Sequence, residues 1–288
     1  MQNDVRVKRL RERVLELVAA VADPTQTDEV YRGFLRWVGQ LHSRYSFANT
    51  ALILSVLPEA TYVGGYKKLQ GMGYQVRRGE RGCPILVPMH GVGVDEIDPH
   101  TEEVITVRPV RGFTVAHVWD VSQCQGPPVP NYKIDLGDDA RPLLDAAVAL
   151  ATRRGIEVEF RTLMGSTNGL SQLGKVVLNS ARPVGIQAST ALHELAHEAL
   201  HPSESRVPTN RALHEVEAES CCWAVLQSYG IEGAMLNAAE YCRHHNPENG
   251  ARDILSSLER ITGAAQDLVA GLDRLLPPEF RAHPPLPR

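Results

Sequence analysis

Hydrophobic residues in the first part of the chain recur every three or four positions, which is typical of amphipathic helices. One such series covers residues 5–21, and a second begins after residues 25–28, Thr-Gln-Thr-Asp, which resemble a helix-capping box. An apolar stretch over residues 47–54 predicts a third helix, which ends before Pro58. The chain is therefore expected to begin with a helical segment.

After Pro58 the spacing of hydrophobic residues changes to the alternation that is typical of β-strands. The predicted strands are at residues 61–63, 74–76, 84–88, 104–107 and 113–119. Residues 98–101, Asp-Pro-His-Thr, have turn chemistry and predict a hairpin. The Pro-rich segment that follows residue 126 has the composition of a linker.

Helical and strand patterns return in the second half of the chain. The predicted elements are a helix at residues 139–154, strands at 156–160 and 175–179, and helices near 186–201, 211–229 and 251–275. The chain is thus predicted to be an α+β protein of two domains. A helical and antiparallel-β module covers residues 1–126, a linker covers 127–138, and a second domain covers 139–280.

The helix near residues 186–201 contains the motif H-E-x-x-H, formed by His193, Glu194 and His197. Residues four positions apart lie on one face of a helix, so the two imidazoles can bind one metal ion. The motif fixes only three residues and can occur by chance, but it lies in an uninterrupted amphipathic helix. This context favours a catalytic Zn²⁺ site with Glu194 as the general base.

A catalytic zinc ion takes three protein ligands, so a third ligand is expected from a following element. The predicted helix at residues 211–229, which ends before Gly230, contains Glu215, Glu217 and Glu219. Glu215 and Glu219 share one face. The pattern therefore predicts Glu215 as the third ligand and Glu219 as the residue that orients a ligand histidine, with Glu217 as the alternative ligand.

These residues predict a zincin-like (gluzincin) metallopeptidase domain that hydrolyses a peptide bond. Glu194 would take a proton from the water and return it to the leaving amine. His201, one turn after His197, is an alternative ligand, but it is expected instead to be a cation at the end of its helix, where the helix dipole favours positive charge. The donor to the oxyanion stays open among Tyr229, His214 and His201.

Composition limits the function classes. The net charge of −4 argues against a uniformly basic nucleic-acid coat but leaves a local patch open. Five cysteines, an odd number without a C-x-x-C spacing, argue against a disulfide framework. There is no apolar run long enough to span a membrane. A cytoplasmic protein without membrane contact is expected.

One local basic patch stands out between residues 60 and 90, and Tyr66 lies within it. Its cations are Lys67, Lys68, Arg77, Arg78 and Arg81, opposed by Glu80. Cations beside aromatic rings suit single-stranded DNA, because the cations follow phosphates and the rings stack on bases. The alternative is that these cations only lie in solvated turns between strands and bind no DNA. Trp119 lies in an apolar pattern and is expected in the core.

Four segments resemble the N-terminal domain of ArdC-type antirestriction proteins, and together they cover most of residues 27–126. They are residues 45–49 (YSFAN), 60–66 (ATYVGGY), 73–82 (GYQVRRGERG) and 118–123 (VWDVSQ). The resemblance implies binding of single-stranded DNA. Family members often have an aromatic residue where Leu69 stands, so no stacking role is expected there. The second half resembles the zinc-peptidase domain of the ImmA/IrrE metallopeptidases through His193, Glu194, His197 and the Glu215–Glu219 segment.

The sequence thus favours a DNA-binding zinc metallopeptidase of the antirestriction or ImmA/IrrE type. Its protein substrate stays undefined. Two alternatives are open. One is a non-proteolytic antirestriction protein that binds single-stranded DNA and uses the metal only for structure. The other is a regulatory protease that cleaves a repressor.

Overall fold

A computed structural model describes residues 2–22, 33, 35–36, 38, 45–97, 104–127, 140–165, 167–172, 174–201, 211–231 and 250–282. In these ranges the helices are α1 (Gln2–Ala22), α2 (Phe47–Val56), α3 (Tyr66–Gly71), α4 (Arg141–Arg153), α5 (Val184–Leu200), α6 (Arg211–Ser228) and α7 (Gly250–Asp273). The strands are β1 (Val63–Gly65), β2 (Gln75–Val76), β3 (Cys83–His90), β4 (Val94–Ile97), β5 (Val104–Val107), β6 (Val110–Asp120), β7 (Cys124–Gln125), β8 (Glu157–Arg161), β9 (Gly169–Gln172) and β10 (Lys175–Asn179). The predicted α+β class is confirmed.

The N-terminal strands form antiparallel pairs, as the alternating sequence pattern predicts. A three-stranded sheet has the order β1-β6-β3, and two smaller pairs are β2-β7 and β4-β5. Strands β4 and β5 pair from Val94↔Val107 to Ile97↔Val104. The predicted turn at residues 98–101 lies between them and outside the described residues.

The C-terminal sheet has the order β8-β10-β9, in which β10 is parallel to β8 and antiparallel to β9. Strand β9 lies directly against α5. A Cβ atom on Gly169 would be 2.6 Å from Thr190 Cγ2 and 2.9 Å from the Val177 carbonyl oxygen. Only glycine allows this approach, which brings β9 beside the helix that contains the H-E-x-x-H motif.

Helices from both halves of the chain share one large apolar core. Val14 and Val18 of α1 and Phe47 of α2 belong to the same buried cluster as Leu192 of α5 and Leu268 of α7. The two halves are also joined by a hydrogen bond from Gln266 Nε2 to the Tyr45 carbonyl oxygen (2.9 Å). Most of the predicted linker lies outside the described residues, and the boundaries 1–126, 127–138 and 139–280 stay predictions.

Some elements differ from the sequence-based expectation. Helix α3 was missed, because six residues between glycines are too few to show a helical period. The first predicted strand, residues 61–63, begins instead at Val63. In the predicted helix after residue 28 only Gly33, Leu35, Arg36 and Val38 are described, and these four are helical. Among the residues that are described, no helix is long and apolar enough to cross a membrane.

Candidate metal centre and nucleic-acid surface

Helix α5 presents two histidines on one face while its opposite face is buried. Ala188, Leu192 and Leu195 pack into the core at helical spacing. The helix ends at Leu200, where the His201 N–H donates to the His197 carbonyl oxygen (2.7 Å). The local sequence thus fixes His193 and His197 one turn apart on the less buried side of α5.

His193, His197 and Glu215 converge although they come from two helices. His197 Nε2 lies 3.1 Å from His193 Nε2 and 3.3 Å from Glu215 Oε2. His193 Nε2 is 3.6 Å from the same carboxylate oxygen. Ligands about 2.0–2.1 Å from a tetrahedral ion are about 3.3–3.4 Å from one another. Two imidazoles and a carboxylate at this spacing fit a divalent metal ion.

The charges of the cluster are mutually dependent. Burial lowers the pKa of His193, but the hydrogen bond to Glu215 and the charges of Glu194, Glu215 and Glu219 outweigh it, so the pKa is raised. Hydrogen bonds with His193 and His197 hold the pKa of Glu215 well below its usual range. A metal cation that replaces the proton between Glu215 and a histidine would therefore bind a Glu215 carboxylate that is already ionised.

Glu194 is buried at the wall of a cavity of about 580 Å³ that opens beside His193. The cavity lies between α5, α6 and the segment before β9. Its lining residues include Thr167, Asn168, Thr190, Glu219, Trp223 and Leu226. A ligand in this cavity would lie next to both the Glu194 carboxylate and the candidate metal ligand His193.

Asn179 holds the loop that forms one wall of this cavity. Its Oδ1 accepts hydrogen bonds from the N–H groups of Leu163 and Ala181, each at 3.1 Å. Its Nδ2 donates to the carbonyl oxygens of Leu163 (3.3 Å) and Thr167 (2.7 Å). The side chain is buried, so its amide group helps to hold the wall formed by Thr167 and Asn168, together with the backbone hydrogen bond from Asn179 N–H to the Asn168 carbonyl oxygen (2.9 Å).

Cys222 also lines the cavity but is not part of the described cluster of His193, His197 and Glu215. Burial, followed by the charges of Glu219 and Glu194, raises the pKa of this thiol to about 12. The neutral thiol therefore packs as a small apolar side chain. The described cysteines are all buried and unpaired.

The other two glutamates of α6 lie in different surroundings. Glu219 lines the cavity on the same side as His193, where the sequence places it as an orienting residue. Glu217, the alternative ligand, is buried away from the histidine pair and accepts a hydrogen bond from Arg260 (2.6 Å). The arrangement therefore favours Glu215 over Glu217 as the third ligand.

The expectation that His201 is a helix-end cation is wrong. Burial, and then the neighbouring His214, His197 and Arg260, lower its pKa to about 4. Its ring stacks on His214 with centroids 3.9 Å apart. The dipole argument assumed an exposed side chain, whereas His201 is buried against His214 and Glu217 of α6.

The basic patch contains an aromatic pair that the sequence did not predict. Trp119 is half-buried, and its ring meets Tyr66 edge to face with centroids 6.1 Å apart. Gly82 makes room for the indole, because a Cβ atom there would lie 2.8 Å from the ring. Tyr66 is 42% exposed and accepts a hydrogen bond from Gln75 Nε2 (2.9 Å). Leu69 is buried, which agrees with the absence of a stacking role.

Arg77 differs from the other cations of the patch. Its guanidinium donates to Glu80 Oε1 (2.8 Å) and to the carbonyl oxygens of Ser122 (2.6 Å) and Cys124 (3.2 Å). It therefore fastens the loop after β2 to the segment that leads from β6 into β7. The remaining cations are exposed, and none has a carboxylate within ion-pair distance in the described ranges; they are Lys67, Lys68, Arg78 and Arg81.

The N-terminal part of the chain matches a known protein family. Residues 7–115 match the family model for the N-terminal domain of anti-restriction factor ArdC. An uncharacterized protein of Bacillus anthracis is 25% identical over 236 residues, which cover 66% of this chain and 39% of that protein. The chain thus spans about two fifths of the length of this relative.

Two solved structures of the antirestriction protein ArdC from the R388 plasmid are similar to this chain. The metal-free structure is 20% identical with a TM-score of 0.50, and the match covers 82% of this chain and 87% of that one. The Mn(II)-bound structure is 17% identical with a TM-score of 0.54, and covers 90% and 97%. At these identities the similarity establishes an ArdC-like fold.

These findings confirm the predicted resemblance of the N-terminal part to the ArdC domain. The resemblance of the second half to the ImmA/IrrE metallopeptidases stays a prediction. The roles of the site residues also stay predictions, although His193, His197 and Glu215 lie together as the sequence pattern requires.

Proposed function

We propose that this chain is an antirestriction protein of the ArdC type that binds single-stranded DNA and holds a divalent metal ion. The observation that carries the proposal is the ArdC N-terminal domain match over residues 7–115, together with an ArdC-like fold that extends over most of the chain. Bound protein would shield incoming DNA from restriction enzymes. Hydrolysis is not needed for this function.

The proposed DNA surface combines the exposed cations with the aromatic pair. Lys67 follows Tyr66 on α3, and Arg81 precedes Gly82, which contacts the Trp119 ring. Cations would follow the phosphates while Tyr66 offers an exposed ring to a base. Arg77 is assigned to the folding of the loop instead, because its donors are already used.

The proposed metal site consists of His193, His197 and Glu215, and zinc is the ion that the donor set favours. A bound ion would join α5 to α6 and would polarise a carbonyl group or activate water. The main proposal requires only that the ion joins α5 to α6. The R388 protein has been solved with Mn(II), so zinc and manganese should be compared directly.

A second candidate function is DNA-directed hydrolysis of peptide bonds. It is favoured by the position of Glu194, whose buried carboxylate borders a cavity beside the proposed ligand His193. Glu194 would accept a proton from water and deliver it to the leaving amine. Incubation with zinc, single-stranded DNA and DNA-bound proteins tests this candidate. Equal cleavage by wild type and Glu194→Gln would reject it.

The main proposal is tested by introducing unmodified DNA into cells that contain a restriction enzyme. Expression of the chain should raise the fraction of DNA that escapes cleavage. In parallel, the purified protein should shift single-stranded DNA in a gel, and the shift should weaken as salt is added. A protein that binds single-stranded DNA no better than a neutral control would contradict the proposal.

A further inference from the structure

A buried carboxylate, that of Glu217, connects three helices beside the proposed metal site. Glu217 of α6 is 0% exposed. Its Oε1 accepts hydrogen bonds from the Ser257 hydroxyl and from Arg260 Nη2 (2.6 Å), both on α7. Its Oε2 lies 3.2 Å from His201 Nε2, at the end of α5. One carboxylate thus contacts both helices that flank α6.

Glu217 and the proposed ligand Glu215 are separated by two positions on the same helix. Successive residues of an α-helix are rotated by about 100°, so these two side chains leave α6 on nearly opposite sides. Glu215 points to His193 and His197, whereas Glu217 points to α7. A rotation of α6 about its axis would displace both carboxylates together.

Apolar packing alone sets this rotation poorly, because hydrophobic contacts lack directionality. Most of the described residues of α6 are buried, and many of them are apolar, such as Val216, Ala218 and Cys221. The Glu215 side chain is 50% exposed, so apolar packing contributes little to its position beside the two histidines. Charge-assisted hydrogen bonds require a defined geometry, and the buried Glu217 carboxylate supplies them.

We propose that Glu217, held by Ser257 and Arg260, is a positioning residue for the metal centre. It fixes the rotation of α6 and so places Glu215 opposite the two histidines. His201 extends the link to α5, since its backbone N–H donates to the carbonyl oxygen of His197. The inference rests on the proposed metal site. It adds that α7, which contributes no ligand to the described cluster, controls the geometry of that site.

The experiment compares Co²⁺ binding by wild type, Glu217→Gln and Ser257→Ala in the full chain. Co²⁺ is the probe because its visible absorption reports the coordination geometry. Glu217→Gln should weaken Co²⁺ binding by about 10- to 100-fold, as loss of a supporting partner does at other metal sites, and should change the absorption spectrum. Ser257→Ala removes one donor with little change of volume and should produce a smaller change in the same direction.

Two controls separate positioning from general stability. Thermal unfolding of the metal-free proteins measures the structural role of each side chain. Glu259→Gln, which removes an exposed charge from the same helix as Arg260, should leave Co²⁺ binding and its spectrum as in wild type. If Glu217→Gln does not fold, Ser257→Ala decides the question.

The outcomes distinguish the inference from the proposed metal site. Variants that unfold at a lower temperature but bind Co²⁺ with the affinity and spectrum of wild type would overturn the positioning role. Wild type that binds Co²⁺ no better than His193→Ala would overturn the metal site itself, and the positioning role with it. Weaker binding with an altered spectrum in both variants supports the proposal.

Discussion

His197 Nε2 lies 3.3 Å from Glu215 Oε2, although 18 positions separate the two residues along the chain. The contact joins the end of α5 to the beginning of α6. Because the His193 imidazole also turns to this point, three metal-binding groups meet where two helices pack. Each of the three side chains should therefore be needed for metal binding.

Alanine at His193, His197 or Glu215 should abolish stoichiometric zinc binding. The affinity should fall by more than the roughly 100-fold that loss of an outer-shell partner costs. Calorimetric titration and metal analysis of the purified proteins measure this effect. Wild type with zinc at about 100 times its dissociation constant should gain about 2.7 kcal/mol of stability, and the Glu215 variant should not. His90→Ala, at an exposed position of β3, is the matched control.

Single-stranded DNA binding should depend on the exposed cations of the basic patch. Glutamine at Lys67, Arg78 and Arg81 should weaken binding, because each change removes a positive charge that pairs with phosphate. Each lost contact should reduce the slope of log affinity against log salt by about 0.7. Fluorescence anisotropy at several salt concentrations measures both quantities. Unchanged slopes would show that DNA binds elsewhere.

Arg77 and Glu80 should affect folding more than DNA binding, with a defined pH dependence. Hydrogen bonds from Arg77 and then Gln123 lower the pKa of the Glu80 carboxyl below its ordinary 4.5. A carboxyl with a depressed pKa stabilises the fold above about pH 4.5, and this contribution is lost as the pH falls. Denaturant unfolding should show that Glu80→Gln is less stable than wild type at pH 7. The difference should shrink below pH 4.5. A constant difference across this range would contradict the assignment.

Asn179→Ala should destabilise the protein and loosen the cavity wall. The change removes the hydrogen bonds of Asn179 to partly buried backbone groups of Leu163 and Thr167, and a typical intramolecular hydrogen bond contributes about 0.5–1.5 kcal/mol. Asn179→Asp keeps the acceptor for the Leu163 and Ala181 N–H groups. Its stability should therefore lie between those of wild type and Asn179→Ala. Urea unfolding measures the stability, and proteolysis within the loop measures its opening. Equal stability of all three proteins would contradict this role.

The metal cluster was accessible to sequence reasoning because its signals are local. The spacing of His193 and His197 is that of one helical turn, and Gly230, at φ +68°, follows the helix that contains Glu215. Strand β10 was predicted with its observed bounds, Lys175–Asn179, since a short apolar run marks it. Local periodicity therefore predicted the elements and the donor types.

Features that depend on distant packing were not predicted. Glu217 meets Arg260 across 43 positions, and no periodic signal connects the two residues. Trp119 was expected in the core because β6 is apolar, yet its ring is half-buried against Tyr66. His201 was expected to be charged, because its burial against His214 and Glu217 of α6 is a tertiary effect that the local sequence does not show.

The most direct test of the proposed function is the survival of unmodified DNA in cells that contain a restriction enzyme. Wild type, Glu194→Gln and the triple glutamine variant of Lys67, Arg78 and Arg81 should be compared at equal expression. Wild type and Glu194→Gln are expected to protect DNA equally, whereas the triple variant fails. Loss of protection in Glu194→Gln, with single-stranded DNA and metal binding intact, would contradict the proposal and support the peptidase instead.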